Sequence, residues 1–165
     1  MALATLFSRV GDRRLALTIL LAGGAAAIID FLYLTIETAL SGGDILRPWK
    51  GVAAALIGVQ AVATAGPSIA LVGVALHFLI AIGAAAFYCP IAARAPLMLR
   101  FPWFAGVVFG ALFLLAMNYI ILPLSVIGRP LYVGSKGLFD ALVSHVLMIG
   151  LPISLLAAAR LRKSI

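Results

Sequence analysis

Residues 15–40, LALTILLAGGAAAIIDFLYLTIETAL, decide how the rest of the chain is read. The run exceeds the roughly 20 apolar residues that cross the hydrocarbon core of a bilayer, yet it holds Asp30 and Glu37. An ionisable side chain at membrane depth costs several kcal/mol unless it is paired or hydrated, so these acids need partners. Spaced by seven, Asp30 and Glu37 share one helical face, and Gly23 continues that face one heptad earlier. That face should turn into protein.

The whole chain fits this reading. It has 165 residues, 65% hydrophobic and 10% charged, with a mean hydropathy of +1.23, whereas soluble domains are roughly 45–50% apolar and 25% charged. A single membrane domain over 1–165 is expected, with no extramembrane part large enough for a core. The lone Cys89 excludes an intrachain disulfide and reads as a packing residue at a helix end. The net charge of +7 sits at helix ends, where it sets orientation and attracts anionic headgroups at the cytoplasmic face rather than nucleic acid. The start, MALATLFSRVGDRR before the apolar run, imitates a secretory signal. The apolar run outlasts the 7–15 residues of a signal core, which favours an uncleaved first span.

Spans are expected at about 15–40, 67–89, 102–123 and 138–160. Pro67 and Pro102 suit helix starts, where a missing N–H costs nothing. Between the first two, PWKGVAAALIGVQAVATAG at 48–66 is Ala- and Gly-rich and marginal in length. It reads as a re-entrant or interfacial helix at about 49–64, held at the headgroups by Trp49 and Lys50. Charge decides against a fifth span. Four spans with cytoplasmic termini put Arg9, Arg13, Arg14, Arg94, Arg100, Arg160, Arg162 and Lys163 inside, against Arg47, Lys50, Arg129 and Lys136 outside. A further crossing would leave five inside and seven outside, contrary to the positive-inside rule. The fold class is all-α, a polytopic four-helix membrane bundle.

At 1.5 Å per residue, Asp30 and His77 each lie about ten residues, roughly 15 Å, from the outer membrane face. His145 lies near 11 Å and Asn118 near 8 Å by the same reckoning. Four helices thus send one polar side chain each toward the outer half of the bilayer. Singly, each has a structural explanation. Glu37, nearer the interface, suits a solvated or Arg47-paired carboxylate. His77 sits on a stripe with Gly73, Ala81 and Ala84 that suits close packing, and Asn118 suits interhelical hydrogen bonding. Pro123 breaks the bond to Tyr119 and allows a bend. Asp140 complements a helix N-terminus, and Gly106 with Gly110 forms a GxxxG packing pair.

Together, Asp30, His77, Asn118, His145 and Glu37 suggest a polar cluster serving a proton relay or a pathway for a small solute, or an accessory membrane subunit. The alternative is a redox component binding haem or a metal through His77 and His145, with Asp30 as a further metal ligand. No cofactor is expected on the first reading. Motifs for nucleophilic catalysis, phosphate loops and dinucleotides are absent, so no enzyme class is supported. Beyond lipid, a membrane-protein partner or a second copy is the expected company.

PWKG at 48–51, LHF at 76–78, MNYIILPLS at 117–125 and GLPI at 150–153 together resemble small four-span bacterial inner-membrane proteins of the YagU-like kind. The resemblance covers most of the chain from Asp30 onward. It implies a bacterial inner membrane and carries over no site residue.

Overall fold

In the computed structural model, residues 12–130 and 134–162 are described. Arg9 and Lys163, both used in the charge count, lie outside them. Four helices are long and apolar enough to cross a membrane: Arg13–Leu40, Ile69–Arg94, Pro102–Leu124 and Ser135–Leu161. Among the described residues there are no strands.

The first, α1 (Asp12–Leu40), has no proline to interrupt it and stops where Gly42 takes φ +71°, the left-handed conformation that glycine adopts freely. The segment expected to form one interfacial helix is two, α2 (Arg47–Ile57) and α3 (Val59–Thr64), broken at Gly58, φ +89°. The second long helix, α4 (Ile69–Arg94), continues past Pro90, five residues beyond the expected end. Cys89 is therefore not at a helix end but fully buried inside one.

A short α5 (Pro96–Arg100) leads into the third long helix. It comprises α6 (Pro102–Ala116), a π-helical segment at Met117–Ile121, and α7 (Leu122–Leu124). The fourth comprises α8 (Ser135–Leu142), a π-helical segment at Val143–Gly150, and α9 (Leu151–Leu161). Both π segments have the same cause. Pro123 and Pro152 lack an N–H, and their rings collide with the carbonyl four residues back, so the preceding turns widen to the i→i+5 pattern.

The end of the bundle where α1 stops and α4 starts is called the upper end below. α1 is the central element, packed on α4, on α9 and on the second π segment, while α6 packs on that π segment and on α9. Small residues set these approaches. A Cβ at Gly23 would lie 2.6 Å from Ile82 Cα, and one at Gly110 would lie 2.5 Å from the His145 carbonyl and 2.6 Å from Val146 Cα. The GxxxG pair is thus the seam along which α6 meets the fourth helix. The core lies toward the lower end and includes Leu15, Ala85, Tyr88, Cys89, Ile153 and Leu161.

Candidate functional site

Asp30 is 2% exposed, and its Oδ2 lies 3.9 Å from Nε2 of His77, which is itself buried. That is too long for a hydrogen bond. His77 Nε2–H instead donates to the Ala27 carbonyl at 3.1 Å, one turn below Asp30 on the same helix. The imidazole proton therefore sits between a carbonyl that holds it and a carboxylate just out of reach. Asp30 Oδ1 has no hydrogen-bond partner among the described residues, and neither does the buried Thr35 Oγ1.

The expected levelling of Asp30 and His77 is realised because α1 and α4 run antiparallel and close. Their approach is permitted by Gly23, and by Ala81 and Ala85, which are fully buried. The fourth helix adds Ser144, whose hydroxyl lies close enough to act on the Asp30 carboxylate, and His145, which is within electrostatic reach of both Asp30 and His77. His145 Nδ1–H donates to Ala141 O at 3.0 Å, and its ring lies 5.6 Å from that of Phe113. Both residues belong to the π segment. Its wider turn shifts the register that buries Ser144 and turns His145 toward Phe113 of α6, and π segments commonly serve function.

Trp49 closes the site from above and corrects one expectation. It is not a headgroup anchor: it is 2% exposed, stacked on Phe31 at 4.6 Å between ring centroids and edge-on to His77 at 5.2 Å. α2 reaches this depth because Gly73 leaves room. A Cβ at Gly73 would collide with the Trp49 carbonyl oxygen and lie 3.2 Å from Ala53 N. The loop after α7 adds a tether, with Val126 N–H donating to Ala55 O at 3.0 Å.

The remaining polar residues fall elsewhere. Glu37 is paired not with Arg47 but with Lys136, at 2.5 Å. Lys136 also binds Asp140 at 2.7 Å. Asp140 is thus an ion-pair partner and not a first-turn acid, because α8 begins at Ser135, three residues earlier than expected. Asn118 lines a cavity of about 270 Å³ together with His145, Tyr119 and Leu138. Among the described residues no group of three or more His, Cys, Asp and Glu is placed to hold a metal ion. The nitrogen His77 turns toward Asp30 already donates to a carbonyl.

Sequence reasoning did not single out Ser144 or Phe31 and misplaced Trp49. Pro152 was the available signal for Ser144, since a proline inside a span widens the turn before it.

Fold and site define a four-helix membrane protein with a buried acid–imidazole pair beneath an aromatic lid. No family model, curated protein or solved structure matches the chain.

Proposed function

We propose that the protein is a multi-pass protein of the bacterial inner membrane that takes up and releases protons at Asp30 and couples this to passage of a small polar solute. The observation that carries the reading is the bare Oδ1 of a nearly inaccessible carboxylate. A carboxylate kept only for bundle stability is best with its lone pairs bonded, because an unsatisfied buried group costs about 1–3 kcal/mol or more. A group that gains and loses a proton needs a lone pair left to receive it.

The neighbours support a relay. His77 Nε2 lies 3.9 Å from the carboxylate, Ser144 can both donate and accept, and His145 acts electrostatically on Asp30 while lining the cavity that also contains Asn118. Protons pass in this scheme from the cavity through His145 and Ser144 to Asp30, and His77 accepts or returns the charge. The small-residue contacts around the pair give the rigidity that a fixed relay requires.

Purified protein in liposomes with an internal pH-sensitive dye tests the reading. Under an imposed potassium diffusion potential, wild type should acidify the lumen at least about tenfold faster than Asp30→Asn, and His77→Gln should be intermediate. Equal rates for wild type, Asp30→Asn and protein-free liposomes would overturn it.

A further inference from the structure

The backbones of α4 and α6 make no extensive contact with one another. Side-chain contacts bridge them, such as Tyr88 with Phe109 at 4.8 Å between ring centroids. Between the helices run two cavities of about 490 and 570 Å³, which share Phe87, Phe109 and Leu112 and so form one continuous groove. It extends from Ile80 near mid-membrane to Phe101 at the lower end, and its walls are almost wholly apolar. Each lobe alone is large enough for a small-molecule ligand, since such sites occupy about 300–1,000 Å³.

The lower mouth is cationic. Three arginines at this end are engaged by protein: Arg14 donates to Arg160 O, Arg160 to Thr18 Oγ1 at 3.3 Å, and Arg162 to Leu99 O. Arg100 is different. It is exposed, and its guanidinium lies 5.4 Å from the ring centroid of Phe101, one of the residues that line the mouth. A planar guanidinium held at the rim of an apolar groove is suited to a phosphate group, which it can engage through two N–H donors.

We propose that the groove between α4 and α6 is a binding site for an anionic phospholipid, one acyl chain lying along Phe87 and Phe109 and the phosphate paired with Arg100. A cationic rim and an almost wholly apolar lining favour this occupant over a second protein chain, whose helix would bring polar backbone and side-chain atoms to be matched along the groove. The site is separate from the Asp30 pair and does not depend on its role.

Gly83 supplies a clean test. It lines the groove and a Cβ there would meet nothing within 4 Å, so the side chain of Gly83→Leu starts unobstructed into the groove and the change removes a residue that costs about 1 kcal/mol in a helix. Wild type, Gly83→Leu and Arg100→Gln are placed in nanodiscs containing equal amounts of phosphatidylglycerol and phosphatidylethanolamine, extracted in mild detergent, and examined by native mass spectrometry. Wild type should retain one phosphatidylglycerol in about tenfold preference. Arg100→Gln should lose the preference yet still retain lipid, and Gly83→Leu should retain neither. Equal retention of the two lipids by wild type, or undiminished retention in Gly83→Leu, would overturn the proposal. So would disulfide-linked dimers from Val108→Cys formed in proportion to protein and not diluted by added lipid, because a second copy would then occupy the groove.

Discussion

Replacing Gly73 by alanine adds one methyl group and should dislodge the lid of the site. The new Cβ would run into the Trp49 carbonyl and lie 2.6 Å from the Trp49 carbonyl carbon, so a backbone and not a flexible side chain must move. α2 has to lift off α4. In water, exposing a tryptophan of some 150–250 Å² at about 25 cal/mol per Å² would cost about 4–6 kcal/mol, but here the displaced ring meets lipid, which is as apolar as the bundle interior. That contribution largely vanishes. What remains is the loss of two ring contacts, Phe31–Trp49 and Trp49–His77, at about 0.5–1.5 kcal/mol each, and local overpacking of about 1–3 kcal/mol. A loss of about 2–6 kcal/mol is therefore expected, most of it reported by Trp49. The assay is thermal unfolding in detergent followed by tryptophan fluorescence in a Trp103→Phe background, since the chain has two tryptophans and Trp103 is 65% exposed. Gly83→Ala on the same helix is the control and should be neutral or slightly stabilising. An unchanged melting temperature and unchanged Trp49 emission in Gly73→Ala would refute the reasoning.

Asp30→Asn and His77→Ala should each lower the melting temperature in detergent, with the double mutant less damaged than the sum, because groups in one network depart from additivity by about 0.5–3 kcal/mol; strict additivity would make them two independent polar residues. Gly110→Val should destabilise by more than about 2 kcal/mol, since its side chain would strike the His145 carbonyl and Val146 Cα backbone atoms, and a variant as stable as wild type would place the helix seam elsewhere. Pro152→Ala should let residues 143–150 return to α-helical register and withdraw Ser144 from Asp30. Its signature is loss of the non-additivity between Asp30→Asn and Ser144→Ala with no loss of overall stability; persistence of that coupling would show that the proline does not set the register. Lys136→Ala should leave the melting temperature nearly unchanged, because its ion pairs with Glu37 and Asp140 are exposed and such pairs contribute little.

The four long helices were readable because each carries a continuous apolar run, and the Asp30–His77 pairing followed from matching depths in antiparallel neighbours. Depth matching works because the rise per residue is constant and does not depend on knowing which faces touch. Trp49 was misread for a physical reason. A tryptophan beside a lysine after a loop is also what an interfacial anchor looks like, and only the notch at Gly73 distinguishes the two, which becomes visible once α2 is known to lie against α4. Ser144 escaped notice because a serine in a span is unremarkable until the register is known, and the π segment shifts that register. The partners of Glu37 and Asp140 depend on how the loop after α7 returns, and loop paths carry no periodicity to read. The apolar groove depends on α4 and α6 remaining apart, and nothing in either helix alone marks that gap.

The central claim, that Asp30 exchanges protons within its pair with His77, is tested most directly by infrared difference spectroscopy of the reconstituted protein across the pH range in which it stays folded. A carboxylic-acid carbonyl band should grow and fade with pH in wild type, shift in His77→Gln and be missing in Asp30→Asn. A difference spectrum identical in wild type and Asp30→Asn would contradict it, because Asp30 would then keep one protonation state throughout.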